Sequence, residues 1–278
     1  MTVRIVTDST CDLPADVITR YGIYVVPLYI NIGRQAYLDG VDITREEFYK
    51  KLPDFPEHPR TAVPSMQKFR ALYDALADEG ANEVLSIHIS TALSGIMNVA
   101  QSAAQETSSV PVTVFDSRQL SLGTGFLVET AAKLAQEGAS VTEIRDVLNA
   151  QIHRTHVFAA LDTLTFLRRS GRMNSVLSVI GEILQIKPFL TMYEGKPGAE
   201  RVRTRKSAMR RLSELLRQYA PYERVALLHS DAAERALFLM KEVQEIFPDQ
   251  PIWCEQINPV LGAHIGPGVI GFACISKA

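Results

Sequence analysis

Three short apolar runs in the first half, "VRIVTDS" (residues 3–9), "EVLSIHIS" (83–90) and "VTVFDS" (112–117), each lead into a polar or glycine-containing turn and then a helical pattern. Runs this short and this rich in Val and Ile are strands buried on both faces, and strand–helix–strand repetition demands a mainly parallel sheet with helices over it. The helices are legible too. From Ser65 the chain places Phe69, Leu72, Tyr73 and Leu76 on one face and reaches Gly80, while Thr44 with Glu47 and Ser140 with Glu143 have capping-box spacing.

Near residues 150–165 the pattern resets. "HVFAALDTLTFL" reads as a strand and a short helix, "QIKPFLTMYEGKP" as a strand pair about a turn, and Thr204 to Tyr219 as a basic helix. The strand "RVALLHS", a helix carrying Leu237, Met240 and Phe247 near helical spacing, and the strand "PIWCEQI" follow. With 278 residues the chain is long for one core, so we expect two α/β domains, 1–155 and a smaller 156–278, with a ligand cleft between them.

In parallel sheets ligands bind beyond the carboxyl ends of the strands. Here those loops are rich in hydroxyls: "TDSTCD", "STALSG" and "DSRQLS", joined by "RTAVPS" with Thr61 and Ser65. Singly these are helix caps or turns. Together they form a candidate site for a carboxylate or phosphate. A net charge of -2 gives no general attraction to nucleic acid. "GTG" at 123–125 lacks the rest of a dinucleotide fingerprint, and no GxxxxGK[ST] loop is present. Ser94, His264 and Asp116 have the residue types of a hydrolase, but Ser94 stands in "ALSGI", outside the G-x-S-x-G pattern.

Cys11, Cys254 and Cys274 show neither a disulfide framework nor zinc spacing, and the first residues do not resemble a secretion signal, so a cytoplasmic protein is expected. No metal is expected. His153 and His156 read as a helix end, and His88 as a sheet-face histidine. "MNSVLSVIGEILQIKPFL" is a core helix or the wall of an apolar tunnel, and the basic run "ERVRTRKSAMRRL" a solvated face or a dock for an acidic partner or phosphate. "NPVLGAHIGPG" reads as a rigid glycine-proline loop holding His264.

Taken in order, "TDSTCDLP", "TAVPS", "STALSG", "FDSRQLSLG", "LTFLRRSGR", "KP", "VRTRK" and "NPVLGAHIGPG" resemble the DegV family, the fatty-acid-binding subunits of bacterial fatty acid kinase, over essentially the whole chain. The resemblance implies two α/β domains with a fatty acid between them, the carboxylate held by hydroxyls and the tail buried in the second domain. It places the carboxylate on Thr61, Ser94 and His264, with Ser65, Gly95 and Ala263 nearby. Arg172 and Arg203, and less so Arg205, would face a kinase or a phosphate. Where the family has "TSQPS", "LSGT" and "GAHTGPG", this chain carries Ala62, Val63, Ile96 and Ile265, which make the site more apolar.

The function so implied is non-catalytic: a long-chain fatty acid is bound and presented to a kinase subunit that brings ATP and Mg and makes the acyl phosphate. Burying about 14 methylenes at roughly 0.8 kcal/mol each gives on the order of 11 kcal/mol, so the tail would dominate affinity and the head group orientation. The competing expectations are an acyl- or phosphoryl-transfer enzyme using Ser94 or His264, and a lipid carrier with no kinase.

Overall fold

The computed structural model describes residues 2–173, 187–246 and 252–277. Its strands are β1 Val3–Asp8, β2 Tyr24–Val26, β3 Tyr29–Ile32, β4 Gln35–Leu38, β5 Arg60–Ala62, β6 Glu83–His88, β7 Val112–Asp116, β8 Thr155–Ala160, β9 Lys187–Tyr193, β10 Lys196–Val202, β11 Tyr222–Ser230, β12 Trp253–Gln256 and β13 Val269–Ser276. The helices are α1 Ala15–Tyr21, α2 Arg45–Lys51, α3 Met66–Asp78, α4 Ile96–Glu106, α5 Ser121–Gln136, α6 Val141–Ile152, α7 Thr165–Arg169, α8 Arg205–Gln218, α9 Ala233–Glu242 and α10 Pro259–Ile265.

The three runs that opened the argument are β1, β6 and β7. With β2 they form a wholly parallel sheet in the order β2-β1-β6-β7, which puts their carboxyl ends on one side. Both capping boxes are present, at α2 through Thr44 and Glu47 and at α6 through Ser140 and Glu143. Strands β3, β4 and β5 make a small antiparallel sheet that the sequence reading did not resolve.

The second sheet runs β10-β9-β8-β13-β11-β12 and is antiparallel except at the β11/β12 edge. Its residues alternate between two cores, as the two-residue period of a strand requires. Val157, Ala226, Leu228 and Ala273 join the core shared with the first half of the chain. Phe158, Leu227, Phe272 and Cys274 pack with Leu212 and Leu216 of α8 and Leu239 of α9. Helices therefore cover one face of this sheet, and the other looks towards the parallel sheet.

Two expectations need correction, those for the helix after β11 and for His156. The face α9 buries carries Ala236 and Leu239, whereas Leu237 is 43% exposed; Phe247 lies outside the described residues. His156 is not at a helix end: it sits on β8, with ring centroids 4.6 Å from Tyr193 and 4.2 Å from Tyr219, while His153 is the residue after α6. His88 is a sheet residue as expected, at the end of β6, and is fully buried in a hydrogen-bonded chain, its Nδ1 2.9 Å from Asp8 Oδ2 and its Nε2 2.8 Å from Ser86 Oγ. Of its two readings the basic run takes that of a solvated face: Arg201, Arg203, Arg205, Lys206 and Arg210 are exposed, and Arg205 pairs with Asp162, Arg210 with Glu214 and Arg211 with Glu200. Of the proposed tunnel wall, residues 174–186 lie outside the described residues.

Burial inside its aromatic cluster pushes the His156 imidazole down to about 4, although Glu194 pulls the other way. The unfolded chain takes up that proton near pH 6.5 and the folded chain only near 4, so this residue's contribution is complete above pH 6.5 and is lost as pH falls towards 4. His156→Phe should keep the stacking and flatten the fall in stability between those two pH values, as urea unfolding at pH 7, 5.5 and 4.5 would show.

Candidate functional site

A cavity of about 500 Å³ lies between the two halves, within the range of small-molecule sites. Thr10, Ser94 and Ser121, from the loops after β1, β6 and β7, contribute one wall, and Val157, Ala159 and Leu228, on the inward face of the second sheet, contribute the opposite one. Leu190, Met192 and Ile257 extend the apolar surface. None of these aliphatic residues was singled out from the sequence. No signal in the sequence marks them; Ala159, small and partly exposed at mid-strand, lines the open space of the cavity.

Thr61, Ser94, Gly95, His264 and Arg172 line this one cavity. The other three predicted residues do not: Ser65 is the exposed N-cap of α3, Ala263 is fully buried, and Arg203 is exposed beyond β10. Of the four apolar departures, Ala62, Val63 and Ile265 line the cavity, whereas Ile96 is buried in the core. A polar recess of about 350 Å³ adjoins it, shares Leu93, Ser94, Gly95 and Arg172, and adds Thr91 and Asn98.

His264 does not sit in a loop. It occupies the last turn of α10, a helix with Asn258 as N-cap, Pro259 in its first turn and Gly266 (φ 75°) at its end. Gly262 lets α10 pack on α2 instead of approaching a ligand, since a Cβ there would stand 2.5 Å from the Tyr49 hydroxyl. Burial holds the His264 imidazole down at about 4, with Arg172 and then His58 adding repulsion, so the ring is neutral near pH 7.

A neutral imidazole carries one N–H. Nε2 lies 3.0 Å from Thr61 Oγ1 and the buried Nδ1 has no partner among the described residues, so the proton is assigned to Nε2, because an orphan acceptor is tolerated better than an orphan N–H. His264 then donates to Thr61, and the Thr61 hydroxyl proton is free to donate elsewhere. The Ser94 hydroxyl is similarly free, because its oxygen accepts the Ile96 N–H at 3.3 Å. Two O–H donors on one cavity suit an oxyanion. They do not form a hydrolase relay: Asp116 accepts from Thr91 Oγ1 at 2.7 Å and from the Arg118 N–H at 2.8 Å, and His264 is engaged with Thr61.

Among the described residues no helix is long and apolar enough to cross a membrane, and no grouping of His, Cys, Asp and Glu could hold a metal ion.

Fold and cavity together define a two-domain α/β protein with an internal, mostly aliphatic ligand chamber that ends among hydroxyls. A sequence model of the DegV family matches residues 2–277, and the chain belongs to that family. A DegV domain-containing protein of Caldanaerobacter subterraneus is 35% identical over 274 residues, 97% of each chain. Among solved structures, a DegV family protein from Thermus thermophilus described by its fatty acid binding is 35% identical, with TM-score 0.89 over 100% of both chains. DegV of Bacillus subtilis, a fatty acid binding protein, is 29% identical, with TM-score 0.92 over 100% of both.

Proposed function

We propose that this protein binds one long-chain fatty acid, with its tail along the aliphatic walls and its carboxylate at Thr61 and Ser94, and presents that carboxylate to a separate ATP-dependent kinase for acyl-phosphate formation. The observation that carries the reading is the pairing of an internal aliphatic chamber with two free hydroxyl donors and an open polar recess. The fatty-acid binding of the two solved relatives supports it. In this reading His264 orients Thr61, and Arg172, which borders both chamber and recess, meets the incoming phosphoryl group. A division at 155/156 assigns the hydroxyl loops to the first domain and most of the tail wall to the second.

The test is native mass spectrometry of the purified protein followed by extraction and analysis of the released ligand. One fatty acid per chain is expected. Protein that comes empty and takes up no added fatty acid overturns the reading.

A further inference from the structure

Behind the chamber wall a fully buried carboxylate, Asp12, joins three segments that line it. It follows the 3-10 turn Ser9–Cys11 that carries Thr10, and its Oδ2 accepts the Ser121 hydroxyl at 2.6 Å at the start of α5. Its Oδ1 accepts both the backbone N–H (2.9 Å) and the side-chain amide (3.0 Å) of Asn258, the N-cap of α10, and Arg45 Nη2 stands 3.4 Å away. Asp12 and Ser121 both hold positive φ, 55° and 51°, a conformation residues with a Cβ adopt at a cost and keep when their surroundings fix it. Two strained residues bonded to each other at a ligand chamber point to a positional role.

We propose that Asp12 is a positioning residue for the head-group site: by fixing the start of α10 it sets where His264, at the other end of that short helix, meets Thr61. The inference deepens the proposed function and rests on it. Asn258 is bonded on both sides, since its Oδ1 accepts the Leu261 N–H at 2.9 Å while its backbone N–H and one side-chain N–H go to Asp12. Contacts of Gly262 with Tyr49 and of Gly266 with Phe166 hold α10 laterally. The Ser230 hydroxyl, donating to the Gly266 carbonyl at 2.7 Å, holds its C-terminal end, and the Asn258 cap holds its start. Arg45 supports the same junction by donating to the Gln256 carbonyl on the chain entering α10. Without the Asp12 carboxylate, three buried donors lose their acceptor, two of them on Asn258, and the helix start must shift to rebond those two.

Three variants separate this role from general stability. Asp12→Ala removes the acceptor. Asp12→Asn keeps an oxygen for Asn258, while Ser121 can turn its hydroxyl to accept from the new amide. Asn258→Ser keeps an N-cap for α10 and loses the side-chain amide that reaches Asp12. Two quantities are read on each variant with native circular dichroism: the imidazole ¹⁵N shifts of His264 in ligand-free protein, assigned with His264→Gln, and the dissociation rate of a fluorescent polyene fatty acid.

The expected result is loss of the Nε2-protonated His264 signature and dissociation about tenfold faster in Asp12→Ala, an intermediate change in Asn258→Ser, and wild-type His264 shifts with dissociation within about twofold in Asp12→Asn. Unchanged His264 shifts in Asn258→Ser overturn the proposal even if Asp12→Ala does not fold, and so does Asp12→Asn failing as badly as Asp12→Ala. If the wild type takes up no fatty acid, the function is at fault, and the His264 shifts still decide the role of Asp12.

Discussion

In the proposed reading, enlarging Ala159 to Leu, Phe and Trp in turn should shorten the acyl chain that is bound and, at Trp, exclude it. Ala159 lies on β8 between the backbones of β9 and β13, paired with Leu190 and Gly271, and its side chain faces the chamber. Added atoms there enter open space instead of a packed core, so the strain of overpacking is absent and the fold should survive. What they displace is ligand. Each methylene denied burial costs about 0.8 kcal/mol, so roughly every two carbons excluded weaken binding about tenfold, and an indole in a chamber of about 500 Å³ should reduce affinity more than about 100-fold. Extraction of the copurified lipid measures the retained length, and competition with a fluorescent fatty acid measures affinity. Thermal melting of the ligand-free Trp variant should be at or above that of ligand-free wild type, since part of an empty cavity is filled. Retention of full-length lipid by the Trp variant would show that the tail does not run past β8.

The same strand shows how far the sequence could be read. The reset near residue 155 is visible because "HVFAAL" has strand composition, and the alternation of Val157 with Phe158 is a two-sided burial that composition makes plausible. What is invisible is that one side faces a void. A residue against a cavity and one against a core have the same hydrophobicity, so the tail wall could not be told from packing. Helix ends were legible where a side chain reports them, as at Thr44 with Glu47 and Ser140 with Glu143, because both partners of the cap are in the text.

Helix α10 was missed for the converse reason. Its glycines and prolines favour a loop locally, and only the tertiary contact of Gly262 with Tyr49 makes the glycine a packing requirement. In α9 the helical spacing of Leu237, Met240 and Phe247 marked one face, whereas the helix turns Ala236 and Leu239 inward. For the head group, hydroxyl-rich stretches identified Thr61 and Ser94 as candidates, although Thr61 lies within β5 and not in a loop, while the donor order was beyond reach because it depends on the orphan Nδ1 of a histidine more than 200 residues away from its Thr61 partner.

That donor order leads to the second large effect. In the proposed reading the Thr61 hydroxyl meets the carboxylate because His264 Nε2–H occupies the Thr61 oxygen from behind. His264→Ala deletes the orienting donor and leaves the aliphatic chamber intact. Retained lipid should therefore stay near one per chain, because the tail dominates affinity. Kinase-dependent acyl-phosphate formation should fall on the order of 100-fold, comparable to losing one preorganised donor at a reacting oxygen.

His264→Gln, which can still donate to Thr61 from its amide, should recover part of that loss, and Arg172→Glu should impair coupling without touching the His264–Thr61 bond. Arg172 adds repulsion at a ring already pushed down by burial, so removing its charge raises the His264 imidazole and reversing it raises it further. The measurement is acyl phosphate formed by the cognate kinase from lipid-loaded variants, with extracted lipid as the loading control. Full kinase-dependent turnover in lipid-loaded His264→Ala would remove His264 from the head-group step and leave Thr61 and Ser94 to hold the carboxylate unaided.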